Sequence, residues 1–598
     1  MPRTVMDAMA AAADITDRGF TFVDGSAGEH WMSFQELARA ARRRAGTLRA
    51  LGLVPGDRIA LIITEQRSFV VTFLAALAAQ LVPVPVYPPS SLAKVDSWRQ
   101  ATEGIVRTAR PAALVTTDEV SPLLWSVASR ADTKIITLRQ LDSHPGAEST
   151  AAGSDPDPDD VAFLQFTSGS TMAPRGVMVS HRNLVENCTR INDDLLSADI
   201  TGVSWLPLYH DMGLIGMVLA PLLALRPIFF LDTLAFLKRP ALWFDLIHRH
   251  RASATFAPHF AYPLAVRRIS AAAVAGWDLS CLRLVGCGAE PIDARTLRTF
   301  AGHFAAAGLR PEALCPSYGL AEATLISTYT PVGEHWRSQI VDADRLQRHG
   351  EAAPPTPGGK TLEIVGCGTV VKGHSLRIID PSGRALPERR VGEIELRGPS
   401  ITGGYFADPA ATARTFSDGA VRTGDLGYVA DGHLFVTGRQ RDLVIVHGRN
   451  YAAQTIEWAL DGLSLVRAGH AVAFAYPDNE GVEQIAVVCE SATRDVADVQ
   501  HAVAARISEE LGLAVGQVLV VRPGTLPKTS SGKVQRAKTR ALFLDGTLGH
   551  IAQGKGAARR SRPLLIARLR WQAVLGSVRY RLETARRTRR QRATGEPR

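Results

Sequence analysis

Apolar residues recur at helical spacing, Leu37, Ala41, Ala45 and Leu48, between Ser33 and Leu51, and this predicts an amphipathic helix. A GLVPGDR turn follows, then a strand over Ile59 to Ile63. From Phe69 to Pro88 no charge occurs, but Gln80 and the prolines at 83, 85 and 88 divide the stretch into a buried helix and a buried strand rather than a membrane span. Met212 to Leu225 is also apolar and is cut short by Pro221, Arg226 and Pro227. Further apolar runs at Gly202 to Leu206, Ile228 to Leu231, Ala254 to Ala257 and Leu282 to Val285 each lead into a loop. Such alternation predicts an α/β fold, a doubly wound sheet whose ligands collect at the carboxyl ends of the strands.

Past Gly438 the pattern changes. A strand in TGRQRDLVIVHGRN, a helix over Thr455 to Leu463, a strand pair over His470 to Tyr476 and Gln484 to Cys489, a helix over Val496 to Leu511 and a strand over Val518 to Val521 make a separate α+β unit of about one hundred residues. Residues 331 to 362 are rich in Pro, Gly and Ala and read as a long excursion between strands.

Composition narrows the class. Six cysteines without CxxC spacing argue against a disulfide framework or a structural zinc and suit a reducing cytoplasm. Asp7, Asp14 and Asp17 interrupt the start, so no signal peptide is expected. The net charge of +10 belongs to the end: from Lys555 onward one Lys and thirteen Arg face two Glu, which leaves the preceding body slightly acidic. Residues 564 to 582 read as a basic amphipathic helix, either a solvated or self-docked extension or a surface for an anionic membrane or an acidic carrier protein. Nucleic acid is not an expected partner, given the enzyme-like body that precedes the tail.

Candidate chemistry lies in loops after strands. Val161 to Phe166 delivers Thr167, Ser168, Gly169, Ser170 and Thr171, followed by Arg175: small and hydroxylated residues whose N–H and O–H groups close around phosphate, with a cation beside them. The loop lacks the Gly-Lys-Ser/Thr ending of a P-loop ATPase. WLPLYHDMGLIG places His210 in an apolar run, GCGAEP puts Gly288, Ala289, Glu290 and Pro291 after a strand, and CPSYGLAEAT offers Tyr318 for stacking, Gly319 for close approach and Glu322 as a hard ligand for Mg²⁺. RTGDLG carries Asp425, a partner for a ribose diol, and a Ser-Ser-Gly turn precedes Lys533. Singly, His210 also reads as a core histidine, Glu322 as a helix cap and Asp425 as a turn former. Together they provide for phosphate, base, sugar and metal.

In order and spacing, TSGSTMAPRG, YHDMGLIG, GAEP, YGLAEAT, RTGDLG, GRQRDLVIVHGRN and LPKTSSGKVQR resemble the adenylate-forming superfamily of acyl and aryl ligases and luciferases, over Phe20 to about Asp545. The wording SWLPLYHDMGLIG, ALCPSYGLAEAT and VGEIELRGPS is similar to that of fatty acyl-AMP ligases. The resemblance implies a large amino-terminal domain of layered sheets and packed helices over 1–437, with a subfamily-type insertion at 331–362 that obstructs the rotation needed for coenzyme A thioesters. It also implies a hinge at 438–442, a small mobile α+β lid over 443–550, and a basic tail over 551–598. It implies ATP and Mg²⁺, a fatty acid, and an acyl carrier protein or a polyketide or peptide synthase as acceptor. By resemblance, Thr167 to Thr171 and Arg175 hold the triphosphate, Thr167 and Glu322 place Mg²⁺, and Gly288 to Pro291, Tyr318 and Gly319 line the adenine and α-phosphate. Asp425 takes the ribose, Arg439 the ribose or phosphates, Lys533 bridges carboxylate and α-phosphate, His210 sits at the acyl tunnel mouth, and Arg441 with Asp442 forms the hinge. An acyl-coenzyme A ligase, an aryl-acid adenylating enzyme and a non-catalytic nucleotide-binding relative are the alternatives. Arg175 stands where Lys is expected, His259 and Cys287 where Asn is expected, and Pro263 where an acid is expected, departures that bear on the acid more than on the reaction.

Overall fold

The computed structural model describes residues 2–89, 95–143, 156–167, 174–195, 199–446, 449–478, 483–493, 495–528 and 533–548. The predicted first helix spans Phe34–Ala50. Ser33 and Glu36 form a capping box across its start, and Leu37, Ala41, Ala45 and Leu48 are buried. A cap of this kind stabilises by about 1 kcal/mol. The uncharged stretch forms a helix, Gln66–Ala78, in which every residue from Phe69 to Leu77 is buried, and then a strand, Val82–Pro85. Its lack of charge reflects core on all sides. No helix among the described residues is long and apolar enough to cross a membrane.

The alternating segments build two sheets instead of one doubly wound sheet. A four-stranded parallel sheet has the order Val82–Pro85, Arg58–Ile62, Ala113–Thr116, Lys134–Thr137. A nine-stranded sheet is parallel through Leu314–Gly319, Leu284–Gly288, Ala254–Pro258, Gly202–Ser204, Ile228–Leu231 and Gly19–Val23, with antiparallel strands at both edges. The strand expected over Gly202 to Leu206 stops at Ser204, whose hydroxyl accepts the Leu206 N–H 3.2 Å away and turns the chain before Pro207. A third, antiparallel sheet of five strands, from Ser375–Ile379 to His433–Arg439, carries the RTGDLG stretch inside the strand Ala420–Ala430.

The excursion at 331–362 is partly ordered into elements. The strand Ser338–Asp342 pairs antiparallel with Thr361–Val365, and the helix Ala343–His349, capped by Asp342, fills the connection. Its strands are mostly half-buried or exposed, which is why no clean apolar alternation announced them. Beyond the short turn Gln440–Asp442, the strand Leu443–Val446 opens the last unit: the strands Ala471–Pro477, Glu483–Glu490 and Gln517–Val521, with helices Ala453–Trp458, Val496–Leu511 and Arg536–Leu544. Its apolar clusters, one centred on Ile485, Val487 and Val503 and the other on Phe474 and Val488, contain no residue before Val444.

Candidate active site

The strands Leu284–Gly288 and Leu314–Gly319 lie side by side and deliver two loops to one sheet edge. Tyr318 ends the second strand, and its hydroxyl donates to Asp425 Oδ2 at 2.8 Å. The other oxygen of Asp425 accepts from Arg439 Nε at 3.0 Å, so the carboxylate, 7% exposed, is held from both sides. Asp425 is thus not in a turn but within a strand, where the register shifts beside it at Leu426 and Gly427. Gly319 is required sterically: a Cβ there would lie 1.8 Å from the Leu325 carbonyl oxygen.

After Gly288 the chain turns through Ala289 at φ 63°, a conformation that costs an L-residue about 1–2 kcal/mol. The turn presents the Ala289 carbonyl, which accepts from the Lys533 ammonium of the last unit. Burial pushes the Lys533 pKa down, with Glu290 and Asp211 opposing and Arg439 adding to the effect. Glu290 is itself fixed, its Oε2 accepting the Phe260 N–H at 3.1 Å. Pro291 is exposed beside it. His210 Nδ1 lies 2.5 Å from Asp211 Oδ1. Burial raises the pKa of Asp211, but the His210 ring, the Met212 N–H and Lys533 together bring it below the ordinary value.

Glu322 sits in the short turn Ala321–Ala323, so it is neither a helix cap nor solvent-facing; it is half-buried, and its Oε1 accepts the Tyr405 hydroxyl at 2.7 Å. Burial pushes its pKa up, and the charges of Asp425 and Asp211 add to that. Directly after it, Thr324 takes φ 71° and ψ −63° while the Leu325 N–H bonds the Ala323 carbonyl, a γ-turn that is costly for a β-branched residue. The Thr324 hydroxyl donates to the Ser400 carbonyl at 2.7 Å and holds the strained turn in place.

The strand Val161–Thr167 pairs with Arg175–Ser180, setting Thr167 opposite Arg175. Ser168, Gly169, Ser170 and Thr171 lie outside the described residues, as does the basic tail. Arg175 lies over the Tyr405 ring, 5.2 Å from its centroid. Arg441 lies in the field of Arg439, Asp442, Asp425 and Glu322; partial desolvation and the Arg439 charge lower its pKa, and the three acids oppose that. Asp442 is paired with Arg536 at 2.8 Å, and Arg536 also grips Glu457 with its Nη2 2.8 and 2.9 Å from the two oxygens.

Two of these residues escaped the sequence reading. Tyr405 follows the Gly403-Gly404 pair, a signal for a tight approach of backbone. Arg536 stands three residues after Lys533 in the same motif, LPKTSSGKVQR. The unusual residues serve locally: His259 Nε2 accepts the Asp293 N–H at 3.2 Å and its ring faces Trp458, burial pushes the Cys287 thiol up, and Pro263 lies in the helix Ala261–Arg268.

A cation from the last unit, a half-buried acid and a doubly held carboxylate converge at one sheet edge, the arrangement of an adenylate-forming enzyme. The profile of AMP-binding enzymes matches residues 10–406, and the chain belongs to that family. It is an ATP-dependent, AMP-forming ligase. A Caulobacter vibrioides protein named as an acyl-CoA synthetase is 36% identical over 87% of this chain and 91% of its own length. A medium-chain-fatty-acid–[acyl-carrier-protein] ligase of Moorena producens is 32% identical over 86% of this chain and 90% of its own. A structure from work on fatty acyl-adenylate ligases of E. coli and L. pneumophila superposes with a TM-score of 0.86 at 35% identity, covering 91% of this chain and 98% of that one.

Proposed function

We propose that this protein activates a fatty acid with ATP, giving acyl-adenylate and pyrophosphate, and passes the acyl group to the phosphopantetheine arm of an acyl carrier protein in a polyketide, peptide or lipid pathway. The observation that carries the reading is the approach of Lys533, from the last unit, to the Ala289 carbonyl beside Glu290, within the field of Asp211 and Arg439. The Moorena producens relative, by its name, acts on a fatty acid and a carrier protein, and supports this choice of substrate and acceptor.

The chemistry asks for little beyond charge and alignment. The carboxylate is already ionised and attacks the α-phosphorus as the bond to the pyrophosphate oxygen breaks, so no general base is needed. Two like charges must meet, and Lys533 offsets them between carboxylate and α-phosphate. Asp425, oriented by Tyr318 and Arg439, receives the ribose hydroxyls. The loop Thr167 to Thr171 with Arg175 takes the β- and γ-phosphates, Gly288 to Pro291 with Tyr318 and Gly319 frames the base, and His210 stands at the acyl entrance.

Glu322 suits Mg²⁺: it is a half-buried carboxyl whose pKa is raised by burial and by nearby acids. Among the described residues no group of three or more His, Cys, Asp or Glu could hold a metal alone. Glu322 with Thr167 would hold Mg²⁺, which would supply positive charge at the leaving pyrophosphate. We assign residues 1–437 to the adenylation domain, 438–442 to the hinge, 443–550 to the lid and 551–598 to a basic tail that suits an anionic membrane or an acidic carrier.

The test is acid-dependent ATP–pyrophosphate exchange. Lys533→Ala is expected to abolish it, and undiminished exchange would overturn the lysine assignment. The Caulobacter vibrioides relative favours a second reading, in which coenzyme A is the acceptor. Accumulation of acyl-coenzyme A on adding coenzyme A would select that reading over transfer to a carrier protein.

A further inference from the structure

We propose that Tyr405 is a positioning residue that fixes two charges of the reaction at once, its hydroxyl aiming Glu322 and its ring face aiming Arg175. The proposal rests on the ligase reading above and adds to it a residue outside the nucleotide-binding motifs. Tyr405 is 5% exposed, and an edge contact with Phe416, centroids 5.5 Å apart, steadies its ring. Its hydroxyl donates to Glu322 Oε1 at 2.7 Å, and the Arg175 guanidinium lies over its face. An acid from position 322 and a cation from position 175, carried by different sheets, are therefore gauged against one aromatic plate.

The backbone around Tyr405 ties the same two elements. The Thr402 N–H and hydroxyl donate to the Glu322 carbonyl at 3.0 and 3.1 Å. On the other side the Met178 N–H bonds the Gly404 carbonyl and the Phe406 N–H bonds the Gly176 carbonyl, so the segment runs beside the strand that begins at Arg175. The Tyr405 N–H donates to Thr412 Oγ1 at 2.9 Å, which fixes the residue from behind. A phenylalanine of the same outline would keep the Phe416 contact and the ring face under Arg175. What it would lack is the hydroxyl, which donates to Glu322 and also interacts with the Arg175 and Thr415 side chains. The bond to Glu322 belongs to the hydroxyl and the stacking on Arg175 to the ring.

The experiment uses the full chain as wild type, Tyr405→Phe and Tyr405→Leu. ATP affinity is measured by calorimetry with magnesium and with EDTA, beside the nucleotide-free thermal midpoint. Tyr405→Phe is expected to keep the midpoint and the EDTA affinity while the gain in affinity from magnesium shrinks about tenfold, the scale of one charge-assisted hydrogen bond. Tyr405→Leu is expected also to weaken binding in EDTA by about fivefold, the scale of one cation–π contact. In exchange assays Tyr405→Phe should raise the half-saturating magnesium with a smaller effect on the KM for the acid. A Tyr405→Phe protein that retains the full magnesium gain overturns the proposal alone. So does one whose midpoint and both affinities fall together, since that is general structural damage. A wild type that gains no affinity from magnesium overturns the ligase reading and this proposal with it.

Discussion

Single buried charges set the pH behaviour expected of this protein. Burial holds the Lys533 ammonium below the ordinary lysine range near pKa about 10.4. Exchange activity should therefore fall on an alkaline limb that begins below that value, and the limb should be missing from whatever activity Lys533→Arg retains. His181, 4% exposed at the start of the helix His181–Arg190, is pushed down to about 4 by burial, with Asp160 and Asp7 opposing. Its folded value lies below its unfolded value of about 6.5, so the unfolded chain takes up the proton first. The stability involved is present above the unfolded value and is lost as pH falls through that window, on the order of 3 kcal/mol in all. Denaturant midpoints at pH 7 and pH 5 should differ less in His181→Asn than in wild type.

Among the elements, the turn Gln440–Asp442 and the helix Arg536–Leu544 are joined by Arg536, which pairs with Asp442 and Glu457 at once. Burial raises the pKa of Glu457 and the Arg536 charge opposes that, so the acid depends on its partner. Removing one member of this partly buried triad leaves its partners uncompensated, at a cost on the order of 1–3 kcal/mol. Arg536→Ala should accordingly lower hydrogen-exchange protection in Val496–Leu511 while leaving that of Gln66–Ala78 unchanged. Adding Glu457→Gln should restore part of the loss. Equal protection in wild type and Arg536→Ala would show that the triad contributes no stability to the last unit.

At the scale of the whole molecule, the segment 331–362 touches the last unit directly. Arg449 pairs with Asp344 at 2.6 Å, and Lys360 Nζ donates to the Glu510 carbonyl at 3.4 Å. Exposed pairs contribute about 0.2–1 kcal/mol each, too little to forbid a domain rotation. Any obstruction must therefore come mainly from the bulk of the helix Ala343–His349 and its flanking strands. Asp344→Ala with Lys360→Ala is expected to raise acyl-coenzyme A formation only a few-fold, in line with that magnitude. Deleting 331–362 should raise it further. Thioester yields unchanged in both would remove the segment from the account of acceptor choice.

Much of this was legible in the amino-acid order, for a physical reason: periodicity and turn chemistry are local. Leu37 to Leu48 marked its helix, Ile228–Leu231 matched its strand residue for residue, and the small residues around Gly288 and Gly319 marked turns where backbones approach. What only tertiary structure decided is which distant residues share one space. The ring of Tyr405 lies between Arg175 and Glu322, Thr324 accepts a strained γ-turn because Ser400 holds it, and Arg536 links the turn at Asp442 to Glu457. None of these pairings has a sequence period. Each depends on how the sheets and the last unit pack together, which is also where the two duties of Tyr405 arise.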